Sequence, residues 1–381
     1  MIKPDYNNSI LNLINTIIYL GGGKNNYSLF DEYKKYKDKK NIILFVIDGL
    51  GFHYLQKHGK NSFLADKLSR KITSVFPSTT ASAITTYVSG LPPEKHGLTG
   101  WFMYLKELGS VALTLPFCPR YNWEPYSKYG VKIEDVYDFT NVASQIKRKS
   151  YAVVAEKLRV SDYTRFLAKS AESLGYENLD DYFKLTQQAL SDNEKPKFIY
   201  SYWSLLDKLC HINGTDHEEV HKHFNDIDRG FEKFFGSMPE DTVCFISADH
   251  GLLDCREESK MHIAEFPEIR DTLVLPLCGE ARHPYCYVNP GDTEKFHSLA
   301  KDKLGDICEV VSAEDMIEQK FFGFGHPADK FRRRIGHFNL LMKEDYALFD
   351  NVLGESPVRF PGLHGGTSKE EMEVPLCVME K

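Results

Sequence analysis

Seven residues, scattered over more than three hundred positions, carry side chains suited to holding metal ions and doing chemistry beside them: Asp48, Thr80, Asp207, His211, Asp249, His250 and His364. Carboxylate oxygens and imidazole nitrogens bind divalent cations. Two binuclear ligand sets can be built from these residues without a remainder. Two ions about 4 Å apart can activate an attacking oxygen on one side of a phosphorus atom and stabilise the leaving oxygen on the other. The residue types therefore point to phosphate-ester chemistry.

Each candidate sits where an element could present it. Asn41–Ile47 is a continuous apolar, β-branched run of strand length, followed directly by Asp48 and then Gly49-Leu50-Gly51. Such runs suit central strands of a parallel sheet, whose carboxyl ends face the functional crevice. Taken alone, Asp48 also reads as a helix cap. Lys197–Trp203 is a second strand, with Asp207 and His211 after it, four residues apart. That spacing puts two side chains on one helical face, although surface pairs of this kind are common. Thr242–Ser247 is a third strand, closed by Ala248-Asp249-His250-Gly251, where a sharp turn would let adjacent ligands converge. His364 lies in the glycine-rich loop Pro361–Gly366, which has little side-chain mass to bury it.

Phe76-Pro77-Ser78-Thr79-Thr80 opens a further segment that ends at Ser89-Gly90, with Pro92-Pro93 beyond. These are helix start and stop signals, and they place the helix start at Thr79 or Thr80. A hydroxyl there has unpaired N–H groups and the positive end of the helix dipole beside it, which suits both an attacking oxygen and a phosphate. The plainer alternative makes these threonines only caps. Thr79 is expected to cap and Thr80 to attack.

Thr80 stands ten positions before Gly90, with Val88-Ser89-Gly90-Leu91 at the turn and Pro93-Glu-Lys-His96-Gly97 following. In these motifs the chain resembles the type I phosphodiesterase/nucleotide pyrophosphatase branch of the alkaline phosphatase superfamily, in which a Ser or Thr nucleophile opens a helix leading to a TGL turn and a P-x-x-H-G segment. His364-Gly-Gly-Thr-Ser-Lys-Glu-Glu-Met-Glu-Val-Pro375 resembles the closing segment of that superfamily. The resemblance implies an alkaline-phosphatase-like α/β fold: a mixed, mostly parallel sheet with helices on both faces, plus a cap region. It implies one metal held by Asp48, Thr80, Asp249 and His250, and a second by Asp207, His211 and His364. Zinc suits these ligands, and manganese is an alternative. The implied activity is metal-dependent phosphodiester or nucleotide pyrophosphate hydrolysis through a phospho-threonine, on a small phosphate ester such as a nucleotide. Where the family places an Asn shortly after the His-Gly pair, this chain has Trp101, a candidate substrate contact. A phosphomonoesterase on the same scaffold is the main rival. A mutase would be expected to use Ser and a sulfatase an oxidisable Cys or Ser, and an inactive metal- or phosphate-binding protein would have lost ligands.

A length of 381 residues with 42% hydrophobic and 27% charged content describes a globular chain. The net charge of -7 argues against non-specific nucleic-acid binding. The eight cysteines include no CxxC and read mostly as reduced core residues. Met1–Tyr6 lacks the basic start of a signal peptide, and Ile10–Leu20 is too short to span a bilayer. No membrane association and a cytoplasmic location are expected, with Ile10–Leu20 as a packed helix ended by Gly21. One catalytic domain over 1–381 is expected, with cap or variable insertions at about 101–193 and 270–338. In the first, the Ser150–Ala155 run is expected to return to the sheet. In the second, Thr272–Leu277 and Tyr285–Val288 read as strands and Lys330–Arg334 as a solvated basic face. His217, His221 and His223 are read as a solvated helix rather than ligands.

Overall fold

The structure is a computed structural model that describes residues 1–191, 195–356 and 359–381. Positions 192 and 193, the end of the first expected insertion, lie outside the described residues.

Seven strands form the main sheet: β1 (Asn41–Ile47), β2 (Leu68–Thr73), β3 (Lys149–Ala155), β4 (Glu172–Tyr176), β5 (Lys197–Trp203), β6 (Thr242–Ser247) and β7 (Glu373–Glu380). Their spatial order is β2-β7-β6-β1-β5-β3-β4. The run from β6 to β4 is parallel, and β7 is antiparallel to both β6 and β2. The fold is the expected alkaline-phosphatase-like α/β arrangement. All seven residues of β1 are buried, as its unbroken apolar run requires of a strand covered on both faces.

The pairing register explains the covering. Phe45 lies beside Ser201 and Ile246, so these share one face, while Leu44, Tyr200 and Phe245 share the other. On the first face Phe45 meets Tyr182 of the helix Leu179–Ser191 and Phe231 and Phe234 of the helix Glu218–Ser237. On the second, Phe245 meets Tyr33 and Tyr36. The helix Ile10–Leu20, with all but one residue buried, packs beside the helix Thr80–Ser89, and Asn15 donates to the Gly90 carbonyl that ends it.

Both stretches expected to be insertions contribute to a second sheet. Its order is Cys308–Ser312, Phe338–Met342, His283–Cys286, Cys278–Glu280, Phe102–Leu105, Ser110–Leu113, Cys118–Pro119. Gly279 pairs with Phe102, which brings Glu280 beside Trp101.

Three sequence expectations need correction. Thr272–Leu277 is not a strand: it makes one isolated bridge, Leu273 to Val288, and Pro276 has no N–H to extend a ladder. The Lys330–Arg334 cluster is not uniformly solvated: Arg332 and Arg333 are exposed, but Arg334 is buried, bonding to Glu107 and to the carbonyls of Gly97 and Val136. The His217–His223 helix is not simply solvated either. His223 accepts from the Trp203 indole N–H, and His221 stacks on His58 with ring centroids 4.2 Å apart. All eight cysteines are buried and free. Among the described residues, no helix is long and apolar enough to cross a membrane.

Candidate metal centre and active site

Sheet register sets the first half of the site. Ile47 pairs with Trp203, and Val46 with Ser247, so the carboxyl ends of β1, β5 and β6 lie side by side. Asp48 leaves β1, and Asp249-His250 leave β6 after Ala248. Gly49, at φ 76°, turns the chain where a Cβ would meet the Asp207 Cα at 3.0 Å. Gly251 is required for close approach rather than for a left-handed turn: a Cβ there would stand 2.1 Å from the Glu370 carbonyl oxygen.

The inner trio is Asp48, Asp249 and His250, all buried. His250 Nε2 stands 3.4 Å from Asp48 Oδ1 and 3.4 Å from Asp249 Oδ2. Its Nδ1 faces the Gly251 carbonyl at 3.1 Å; donating there leaves Nε2 as an unprotonated donor atom for a cation. Asp249 Oδ1 accepts from the N–H groups of Gly49 and His250, and the Tyr202 hydroxyl donates to Asp48 Oδ2. Burial pushes both carboxyls above their ordinary range, and for Asp48 the neighbouring Asp249 and Asp207 add to the rise.

The outer trio is Asp207, His211 and His364. Asp207 and His211 lie on the helix Leu205–Asn213, where the four-residue spacing puts His211 Nε2 3.4 Å from Asp207 Oδ1. His211 Nδ1 donates to the Gly362 carbonyl at 2.7 Å. His364 Nε2 is 3.9 Å from the same Asp207 oxygen. Burial, and then His250 and His211, push the His364 imidazole well below its ordinary value. The two trios touch: the His250 and His364 rings stack with centroids 3.8 Å apart.

The donor set fits divalent cations. Asp48 Oδ1, Asp249 Oδ2 and Asp207 Oδ1 are buried with no hydrogen-bond partner, a costly state unless a cation meets them. Two ligands about 2.1 Å from one zinc at a tetrahedral angle stand about 3.4 Å apart, against 3.4 Å for the His250 pairs and 3.4 and 3.9 Å for the pairs of Asp207 with His211 and His364. A third grouping of His58, Asp216 and His221 lies elsewhere, with Asp216 exposed and bonded to Lys57.

Thr80 is the first residue of the helix Thr80–Ser89, and its Oγ1 is 3.1 Å from His250 Nε2. Thr79 occupies the N-cap position, but its hydroxyl makes no cap bond, contrary to expectation. It donates instead to Glu280 Oε1 at 2.6 Å, and the backbone N–H of Trp101 donates to the same oxygen at 2.7 Å. Two chambers meet at this point, and Thr80, Trp101 and Asp207 line both. The outer one, about 640 Å³, includes Trp101, Phe102, Tyr121, Trp123 and Phe360.

Sequence reasoning missed Glu280, Tyr202 and Glu371. Glu280 is half-buried, and burial raises its carboxyl to about 7. Glu371 ties the two ligand loops together: its carbonyl accepts from the Gly251 N–H, and its carboxylate from the Gly366 N–H and from buried Arg282. Burial opposes the Glu371 charge, but Arg282 holds the carboxyl below its usual range. Ser368 and Glu371 form a capping box, so the local signal at Glu371 is that of a helix start.

The family model for type I phosphodiesterase / nucleotide pyrophosphatase matches residues 42–367. The chain belongs to this family and is a hydrolase acting on phosphoric ester bonds. No curated protein matches it. Among solved structures, murine ectonucleotide pyrophosphatase/phosphodiesterase 5 is similar at 14% identity and a TM-score of 0.68, over 89% of this chain and 88% of that one. The human counterpart gives 17% and 0.68, over 89% and 87%. Phosphonoacetate hydrolase from Sinorhizobium meliloti 1021, in complex with phosphonoformate, gives 17% and 0.63, over 88% and 89%.

Proposed function

We propose that the chain cleaves a small phosphodiester or nucleotide phosphoanhydride through a phosphorylated Thr80, at a site holding two divalent metal ions. Asp48, Thr80, Asp249 and His250 would hold one ion, and Asp207, His211 and His364 the other; zinc is the favoured metal and manganese the alternative. The observation that carries this reading is the place of the Thr80 hydroxyl: at a helix N-terminus, 3.1 Å from His250, where the two trios meet. Among the similar structures, an inactive form of the murine enzyme is in complex with AMP, which suits a nucleotide-sized phosphate ester here.

In the first step Thr80 Oγ forms a bond to phosphorus as the bond to the ester oxygen breaks, and the proton lost from Thr80 passes through solvent to that oxygen, which leaves as an alcohol or phosphate. In the second, water attacks phosphorus, the bond to Thr80 breaks, one proton of the water restores the Thr80 hydroxyl, and the phosphate monoester leaves. Bound cations would supply the charge that favours the Thr80 alkoxide and the departing oxygen. The N–H groups at the start of the helix face a phosphoryl oxygen, and Trp101 flanks the substrate from both chambers. Residues 1–381 would act as one catalytic domain, with the insertions at about 101–193 and 270–338 supplying the second sheet and the chamber walls.

Glu280 favours the diester over the monoester. It places a carboxylate beside Thr79 and Trp101, next to the attacking residue. A monoester dianion meets repulsion there that a diester monoanion feels less. Apart from the histidines, the one cation among the described residues lining the outer chamber is Arg120. Its donors are occupied by Glu355 and by the carbonyls of Leu277 and Asp350.

The test is hydrolysis of bis-p-nitrophenyl phosphate and p-nitrophenyl phosphate by protein stripped with chelator and reloaded with Zn²⁺ or Mn²⁺. Activity is expected only after reloading, with the larger kcat/KM for the diester. Full turnover by protein shown metal-free by elemental analysis would refute the metal-dependent reading, and a clear monoester preference would refute the diester assignment.

A further inference from the structure

A further gathering of metal-ligating side chains, His58, Asp216 and His221, stands outside the two trios. Three elements bring it together. His58 ends the helix Phe52–His58, which begins a few residues after Asp48. Asp216 lies in the link after the helix Leu205–Asn213, which carries Asp207 and His211, and His221 lies in the first turn of the helix Glu218–Ser237. The link is anchored just before Asp216. Thr215 donates to Asp254 from its N–H at 2.7 Å and from its hydroxyl at 2.9 Å. Asp254 pairs in turn with Gly362, whose carbonyl accepts from His211. The contacts that position the outer trio therefore also set Asp216 in place.

His58 Nε2 and His221 Nε2 each stand 3.5 Å from the same oxygen, Asp216 Oδ1. That is long for a hydrogen bond, but close to the separation of about 3.4 Å between two ligands of one tetrahedral zinc. Lys57 Nζ takes the other oxygen, Oδ2, at 3.1 Å, which leaves Oδ1 to a cation. Lys57 also holds the Asp216 carboxyl below its usual range, so it is ionised at neutral pH. The two imidazoles stack with centroids 4.2 Å apart, where two charged rings would repel each other. Burial, and then His221 and Lys57, hold His58 below its ordinary value, which keeps that ring neutral and able to ligate. His221 Nε2 is buried with no hydrogen-bond partner, and so is the hydroxyl of Tyr54, whose ring lies 4.9 Å from His58 and 6.1 Å from His221. A buried nitrogen left in this state is costly unless something meets it.

We propose that His58, Asp216 and His221 form a third site for a divalent transition-metal ion such as zinc, separate from the two ions at Thr80. Two imidazoles and one carboxylate suit such an ion better than calcium or magnesium, which take oxygen ligands. Three protein ligands leave a coordination position to water, and Asp216 is 60% exposed. This ion is therefore held more weakly than the catalytic pair: at nanomolar free zinc only the catalytic ions remain. Its binding joins the end of the helix Phe52–His58 to the start of the helix Glu218–Ser237 and clips the link that follows Asp207 and His211. The clip acts on the elements that carry catalytic ligands and not on the substrate.

The experiment equilibrates the protein at buffered free Zn²⁺ of about 10 nM or about 10 μM and counts bound zinc by elemental analysis. The variants are His58→Phe and His221→Phe, which keep an aromatic stack but lose the ligand nitrogen. At the higher concentration the wild type is expected to hold one zinc more per chain than either variant; at the lower, all three hold the same number. His217→Asn removes a neighbouring exposed histidine while keeping a helix cap, and is expected to count as wild type does. Melting curves establish that each variant folds, and the higher zinc concentration should raise the Tm of the wild type more than that of the Phe variants. Equal zinc counts in the wild type and both Phe variants at the higher concentration would overturn the proposal. So would loss of the ion from His217→Asn, which would make it an adventitious ion on a histidine-rich surface. A third ion bound with no extra rise in Tm would overturn the clip. Because the count is a difference between wild type and variant, it stands or falls whether or not the protein hydrolyses any ester.

Discussion

Asp48, Asp249 and His250 hang from the ends of adjacent strands, whereas Asp207, His211 and His364 hang from a helix and a glycine-rich loop. The inner trio is fixed by sheet register and by hydrogen bonds that neighbouring strands and strand ends exchange, from Gly49 to Asp249 and from Tyr202 to Asp48. The outer trio needs a chain segment more than 150 positions downstream of Asp207 to be held in place. That holding falls to Glu371, whose carboxylate, 0% exposed, meets Arg282, 1% exposed. Ligands on strand ends inherit the rigidity of the sheet; ligands on loops depend on whatever anchors the loop. The two halves should therefore respond differently to the same kinds of damage.

Thr80 lies where the halves meet, and its loss should have the largest effect. Thr80→Ala is expected to lower kcat by more than about 10³-fold, because a nucleophile is removed outright, while the protein still folds and binds two metal ions. Thr79→Ala removes only the bond to Glu280 and should cost less than about tenfold. Steady-state kinetics, with mass spectrometry of acid-quenched enzyme for a phosphorylated peptide, decides. A label on Thr79, or Thr80→Ala turning over at the wild-type rate, would contradict the assignment.

Glu371→Ala separates the trios. It leaves Arg282 buried without its carboxylate, an effect of about 3–5 kcal/mol, and frees the Gly366 and Ser368 N–H groups that the carboxylate holds beside His364. Chemical denaturation measures the first effect. Equilibrium dialysis with elemental analysis measures the second: metal content should fall from two ions toward one. Equal weakening of both ions would remove the distinction between strand-held and loop-held ligands.

How much of this was legible in the sequence follows the same division. Asp48 and Asp249-His250 were readable because each directly follows an apolar strand-length run, and a parallel sheet brings such ends together. Thr80 was readable from the helix signals at Pro77 and Gly90. His364 had a glycine-rich context, and Asp207 and His211 a preceding strand and a four-residue spacing, but their grouping on one ion was supplied by family resemblance rather than by any local pattern. Glu280 and Glu371 were not legible as site residues. Their partners lie 201, 179 and 89 positions away, and no periodicity marks such pairs. Arg334 was misread for the same reason: a basic cluster looks solvated until distant carbonyls close around one member. The Thr272–Leu277 run shows the converse, since apolar content suggested a strand and Pro276 prevented it.

The inner trio should also reveal itself through pH when metal is absent. Asp48 and Asp249 have folded values raised above the ordinary 3.8, so the folded protein keeps protons that the unfolded chain has released. Their contribution to stability is fully present below about 3.8 and is lost as pH rises through the raised values. Metal-free Asp249→Asn should therefore lose less stability than wild type as pH rises through that window, and should melt higher at pH 8. Zinc should reverse the order, stabilising wild type more. Identical pH slopes for wild type and variant would mean that the buried carboxylates carry no such strain.

Glu280 belongs to neither trio, and it sharpens the comparison most finely. Its folded value of about 7 lies above the ordinary 4.5, with burial as the first cause, opposed by its bonds from Thr79 and Trp101. Stability from this group is present below about 4.5 and lost as pH rises through 7. Glu280 faces a solvent-accessible chamber, which reduces the loss to about 1–2 kcal/mol at pH 8. Glutamine keeps the acceptor oxygen for both N–H and O–H donors but cannot ionise. Glu280→Gln should therefore stabilise the metal-free protein by about that amount at pH 8 and change little at pH 4.5, as read from urea midpoints at the two pH values. In the metal-loaded protein bound cations favour the carboxylate, so the same substitution removes a negative charge beside the phosphoryl group. The ratio of diester to monoester kcat/KM should then fall, by about threefold to tenfold. A variant that shows the pH-dependent stability gain with an unchanged ratio would make Glu280 a structural bond acceptor for Thr79 and Trp101, and the preference for diesters would have to come from elsewhere in the site.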